Sequence, residues 1–234
     1  MQIQSQGVFV ITGGGGSLAG AVAEVFHAAG ARLALIGRHG HGLAERAASF
    51  GGLALTADLT SSAQAERAIG ETVSALGRID GLIHTAGAFA MGKIADAGPD
   101  RYQRLFEDNV QTLHNAVKAA LPELVARGDG FIAGVSSNVV WEGGGAAGMA
   151  LYAAAKAAVA FYLRSLEREV RERGLRVAIV YPMAPIDTPA NRRAMPTGDP
   201  EGWVDPVAIA EALLFSATRG RRGRLMELPI WAAR

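Results

Sequence analysis

Cysteine is absent from the 234 residues. That excludes a disulfide framework and any thiolate metal site, and it fits a reducing cytoplasm, the expected location. Charge is sparse, at 19% of residues with a net of +1. Such a surface has no general pull towards nucleic acid or anionic lipid, so neither is expected as a partner. Apolar runs are short and broken by Gly or charge, so no segment is expected to span a membrane. The opening Met1-Gln2-Ile3-Gln4-Ser5-Gln6 lacks a basic region followed by an apolar one and is not read as a signal peptide. Half the residues are hydrophobic, which excludes a disordered chain. What the sequence does have is glycine, 30 residues of it, and their positions are more informative than their number.

Short apolar runs alternate with helical patterns. The runs are Val8 to Ile11, Leu33 to Ile36, Leu53 to Leu55, Gly81 to Ile83, Phe131 to Val135, Val177 to Val180 and Leu225 to Leu228. Strands apolar on both faces suit a parallel sheet covered on both sides. Between them, helices are predicted over Ala19 to Ala29, Ser61 to Leu76 with a Ser cap, Leu105 to Val125, Ala150 to Arg173, and Asp205 to Ala217 with an Asp cap and Pro206 at the first helical position. The alternation predicts an α/β fold with a doubly wound, Rossmann-type parallel sheet and helices on both faces. No composition shift divides it, so residues 1–234 are read as one domain. Gly143-Gly144-Gly145 reads as an active-site loop. The long connection from Pro182 to Trp203 reads as a substrate lid over about 183–203.

Three motifs carry chemistry. The first strand runs into Thr12-Gly13-Gly14-Gly15-Gly16-Ser17-Leu18-Ala19-Gly20 and then a helix. Glycines there allow a sharp turn and close approach of a pyrophosphate, whose charge sits at the helix N-terminus. Gly13, Gly16, Ser17 and Leu18 are the expected contacts. The second strand ends in Gly37-Arg38-His39, with no carboxylate for ribose hydroxyls but a guanidinium suited to a 2′-phosphate. NADP is therefore expected ahead of NAD, which stays possible. Tyr152 and Lys156 stand one helical turn apart, where an ammonium is expected to lower the phenol's pKa. Ser136-Ser137 ends the preceding strand at the crevice where such sheets bind ligands. His84 and His114 have no clustered partners, so no metal site is expected. Arg219, Arg221, Arg222 and Arg224 read as a solvated turn.

Taken in order, these motifs resemble the short-chain dehydrogenase/reductase family, over nearly the whole chain. The resemblance implies that Asp58-Leu59 holds the adenine side and that Ala86-Gly87, after Thr85, lines the nicotinamide ribose. It also implies that Asn109 anchors a relay water, that Ser137, preferred to Ser136, bonds the substrate oxygen, and that Pro182 and Ile186-Asp187-Thr188 lie along the nicotinamide. Tyr152 and Lys156 complete a Tyr/Lys/Ser/Asn catalytic tetrad and also touch the cofactor. The implied activity is NADPH-dependent reduction of a carbonyl to an alcohol by hydride transfer, or the reverse. Ser17, Ala19, Thr85 and Met183 depart from the family's usual residues. The 186–196 segment followed by Trp203, with Gly148-Met149, is similar to dihydropteridine reductase, so a pterin reductase is the alternative. A non-catalytic NADP-binding sensor is the other. By resemblance, the two long helices pair across a two-fold axis, giving a homodimer or homotetramer.

Overall fold

The computed structural model describes residue 3 and residues 6–40, 42–220 and 222–233. Met1, Gln2, Gln4 and Ser5 of the N-terminal stretch, and Arg221 of the basic turn, lie outside the described residues.

Seven parallel strands form one sheet: β1 (Val8–Thr12), β2 (Arg32–Gly37), β3 (Leu53–Thr56), β4 (Gly81–His84), β5 (Gly130–Val135), β6 (Leu175–Pro182) and β7 (Glu227–Ile230). Their order is β3-β2-β1-β4-β5-β6-β7, a doubly wound sheet. The order reverses between β1 and β4, so the crevice opens where the chain leaves their carboxyl ends. Alternation within the strands explains the two cores. Val10, Ala34 and Ile36 face one cluster, while Phe9, Ile11, Leu33 and Leu35 face the other.

The first cluster is closed by α3 (Ser62–Leu76), α5 (Thr112–Arg127) and α7 (Ala150–Val170), through Ala68, Val117 and Leu163. The second is closed by α1 (Ser17–Ala28), α2 (Leu43–Ser49) and α9 (Pro206–Ala217), through Phe26, Leu43 and Leu213. The remaining helices, α4 (Pro99–Phe106), α6 (Asn138–Trp141) and α8 (Pro189–Ala194), line the carboxyl side of the sheet. No helix among the described residues is long and apolar enough to cross a membrane.

Three elements differ from the sequence expectation. The helix expected to start at Leu105 starts at Pro99, because proline is pre-set for a first helical position. It then passes through a π-helical turn, Glu107–Gln111, before α5. Helix α2 was not anticipated. The last strand is shifted to Glu227–Ile230, with Pro229 facing Tyr181 in register. Proline is tolerated there because β7 is an edge strand. In the basic turn, Arg219 lies over the Phe215 ring and Arg224 pairs with Glu167, so both are engaged locally.

Candidate active site

The glycine-rich turn is shaped by close approach. Gly13 has φ +69°, and a Cβ there would stand 2.9 Å from the Ala86 amide nitrogen. Any side chain would push β1 away from the end of β4. The Gly16 N–H donates to the Gly13 carbonyl at 2.7 Å, closing the turn into α1. Gly16 is the helix N-cap without a side-chain cap, which leaves the first N–H groups of α1, at Ser17 and Leu18, for a ligand. Ala19 is fully buried in the second core, which accounts for a side chain where the family has glycine. Thr85 donates its hydroxyl to the Thr12 carbonyl at 2.7 Å, tying the ends of β1 and β4 together.

Beyond β3, Asp58 Oδ1 accepts from the N–H and hydroxyl of Thr60 at 3.0 and 2.9 Å. Leu59 is buried in the first core. Arg38 leaves the end of β2 and pairs with Asp108 of the π-turn at 2.9 Å.

The same π-turn places Asn109. Its side chain is fully buried, and Nδ2 donates to the carbonyls of Ala88 and Leu105 at 2.9 Å each. Its Oδ1 accepts from the Ala88 N–H at 3.3 Å. The extra residue of a π-turn turns this amide towards the β4 loop, a device common at functional sites. A Cβ built on Gly87 would lie 2.7 Å from Asn109 Oδ1 and 3.3 Å from Lys156 Nζ. Glycine at that position keeps the space between amide and ammonium open.

Helix α7 brings Tyr152 and Lys156 to the end of β5. Ser136 donates its hydroxyl to the Lys156 carbonyl at 2.9 Å, anchoring the helix to the strand. Ser137 instead donates its hydroxyl to Asn138 Oδ1 at 3.0 Å and lies close enough to Tyr152 to pull the phenol's pKa down. The two serines thus divide their work: one holds the helix, the other lies near the phenol. Lys156 Nζ donates to the Val135 carbonyl at 3.0 Å and lies 5.9 Å from the centroid of the Tyr152 ring. Burial lowers the Lys156 pKa to about 8. Burial also pushes the Tyr152 phenol up, against the opposing pull of Ser137. The expected depression by the lysine is therefore not what this arrangement produces, because desolvation of the phenol outweighs its neighbours. The Phe89 ring meets Tyr152 edge-on at 4.9 Å, a wall the sequence did not reveal.

Across the crevice, Pro182 ends β6, and Met183 is buried with its N–H donating to the Ile230 carbonyl at 2.9 Å. Ile186 forms a parallel bridge with Val204, clamping both ends of the 186–204 segment. Thr188 caps α8 by accepting from the Asn191 N–H at 3.1 Å, and Asp187 pairs with Arg192 at 2.6 and 2.7 Å. Trp203 packs on Gly198, where a Cβ would come within 2.5 Å of its ring, so the indole holds the segment's own fold. The Gly143-Gly144-Gly145 stretch is exposed between α6 and α7. Among the described residues, no group of three or more His, Cys, Asp or Glu is placed to hold a metal ion.

The sheet order, with a glycine-rich turn leading from the first strand into the first helix, is that of a Rossmann-like fold. The chain belongs to the short-chain dehydrogenase family, whose model, described as short chain dehydrogenase, matches residues 7–198. It is an NAD(P)-dependent oxidoreductase of that family. It is 26% identical over 233 residues to an uncharacterised oxidoreductase of Staphylococcus aureus (strain MRSA252), covering 98% of this chain and 99% of that one. Among solved structures it resembles a short-chain dehydrogenase/reductase of Serratia marcescens, with TM-score 0.86, 25% identity and 96% of each chain covered. It shares its fold with a 3-ketoacyl-(acyl-carrier-protein) reductase of Brucella melitensis complexed with NADH, with TM-score 0.86, 22% identity, and 97% and 98% of the two chains covered.

Proposed function

We propose that the protein is an NADPH-dependent carbonyl reductase, acting on a small-molecule ketone or aldehyde or, in reverse, on the alcohol. The observation that carries this reading is the placement of Tyr152 and Lys156 one turn apart on α7, with Lys156 Nζ bonded to the Val135 carbonyl at the end of β5 and 5.9 Å from the centroid of the Tyr152 ring. The backbone fits a dinucleotide, since the turn at Gly13 admits no Cβ and the first N–H groups of α1 carry no side-chain cap. The nicotinamide cofactor, when bound, supplies the hydride. Gly13, Gly16, Ser17 and Leu18 would hold its pyrophosphate, and Asp58 and Leu59 its adenine side. Ala86, Gly87, Tyr152 and Lys156 would hold the nicotinamide ribose, with Pro182, Ile186 and Thr188 along the ring. Residues 183–203 form the substrate lid of one catalytic domain.

Ser137 bonds the carbonyl oxygen and Tyr152 gives it a proton. With its pKa pushed up by burial, the Tyr152 phenol holds its proton at neutral pH, which is the form that donates to a carbonyl oxygen. Lys156 and Asn109 face one another across the open space at Gly87 and return the proton from solvent through water.

The test is NADPH oxidation against a panel of ketones and aldehydes, with quinonoid dihydropterin as a separate arm. We expect turnover on carbonyls, and in Tyr152→Phe a fall of about 100-fold or more with cofactor binding retained. Near-native turnover by Tyr152→Phe would assign the proton to another group. Consumption confined to the pterin arm would favour the pterin reductase, and binding without turnover the sensor.

A further inference from the structure

We infer that Arg46 is the specificity-determining contact for the cofactor's 2′-phosphate, a role that rests on the NADPH reading above. The guanidinium nearest in sequence to the end of β2, that of Arg38, has a carboxylate neighbour that competes with a phosphate for it. It pairs with Asp108 at 2.9 Å, with the two side chains 53% and 20% exposed. A guanidinium shared with a carboxylate has less charge to offer a phosphate.

Arg46 has no carboxylate partner among the described residues. It projects from α2 onto the phosphate turn, where Nη1 donates to the Gly14 carbonyl at 2.6 Å and to the Gly16 carbonyl at 2.8 Å. Those carbonyls flank Gly15. A Cβ at Gly15 would meet nothing within 4 Å, and the Gly15 amide nitrogen lies 3.6 Å from the Cβ position of Gly37 at the end of β2. The guanidinium is thus fixed where the phosphate turn meets the end of β2. That is where sheets of this kind discriminate a ribose 2′-hydroxyl from a 2′-phosphate. It lies alongside Gly20 of α1, whose Cβ position is in ordinary van der Waals range of Nε and Nη2, at 3.6 and 3.7 Å. The two carbonyls occupy Nη1 alone. The Nε and Nη2 donors form the edge that pairs with two phosphate oxygens, and neither has a protein partner among the described residues. Bonding through Nη1 also fixes the side chain beforehand, so little rotamer freedom remains to be lost on binding.

Calorimetric binding of 2′,5′-ADP and 5′-AMP tests the assignment without turnover. The wild type should bind 2′,5′-ADP at least about tenfold more tightly than 5′-AMP, as a charged hydrogen-bonded pair implies. Arg46→Met should abolish most of that preference and leave 5′-AMP little changed. Arg46→Lys should keep part of it, and Arg38→Met most of it. A wild type without the preference would overturn the NADPH reading and this inference together. A wild-type preference that survives Arg46→Met would overturn the inference alone. Equal loss of both ligands would also overturn it, by making Arg46 only a brace for the turn.

Discussion

At the scale of single residues, burial sets the protonation of the site. His84 ends β4 with Nδ1 2.9 Å from the Thr12 hydroxyl and Nε2 3.3 Å from that of Thr112. It is 2% exposed. Burial first, and the charge of Lys156 second, lower its pKa from 6.5 to about 3. The folded protein therefore holds a neutral imidazole where the unfolded chain holds a proton. Its contribution to stability is complete above pH 6.5 and is lost as the pH falls from there towards 3, at about 1.4 kcal/mol per pH unit. Urea unfolding between pH 6.5 and 4 should show this loss, and His84→Gln should flatten the slope by about one proton. Identical slopes in parent and variant would mean that His84 carries its proton in the fold. The same desolvation acts on Lys156, so one buried layer under the crevice keeps imidazole and ammonium from being charged together.

At the scale of elements, the helix caps let geometry rank two sites the sequence treated alike. Asp205 accepts from the Val207 N–H at 2.8 Å, and its charge lies at a helix N-terminus. Ser61 reaches the Gln64 N–H only at 3.4 Å. Asp205→Ala should therefore cost about 1–2 kcal/mol, and Ser61→Ala about 0.5 kcal/mol. Denaturant midpoints give the order, and a larger loss at Ser61 would reverse the ranking. Both caps were legible because a cap is a local event, made by a residue and the N–H groups two or three positions on. The strands were legible for the same reason, through continuous apolar runs. Helix α2 was not, because it is short and its N-cap, Gly42, adopts φ +76° and offers no side chain. Nor was the π-turn, which carries Asn109 to the backbone of Ala88, 21 residues away. In the site, Ser137, Tyr152 and Lys156 could be read because one strand end and one helix turn carry them. Arg46 and Asp108 could not, since their partners lie 30 or more residues off along the chain. A spacing rule has no access to such pairs.

At the scale of the whole molecule, α7 poses a question of assembly. One face is buried through Ala155, Val159, Leu163, Leu166 and Val170. The other carries Ala154, Ala158, Phe161 and Ser165 at helical spacing, with Phe161 64% exposed. On neighbouring α4, Tyr102 is 54% exposed. Small residues beside a large exposed ring make a surface that a second copy can approach closely. The expected assembly is a homodimer, alone or paired into a tetramer, in which α7 meets its own copy across a two-fold axis. Ala158→Glu separates this from a merely alanine-rich solvated face. On a solvated face the change should stay within about 0.5 kcal/mol. At the axis it would place like charges against one another in a dry contact, and the dimer should dissociate. Light scattering at micromolar concentration reads both outcomes, and a wild-type monomer would end the idea. A dimer that survives Ala158→Glu would move the interface to β7. Among the described residues that strand pairs with β6 alone, and because Pro229 interrupts the N–H donors of its other edge, a second copy would meet it through side chains rather than by extending the sheet.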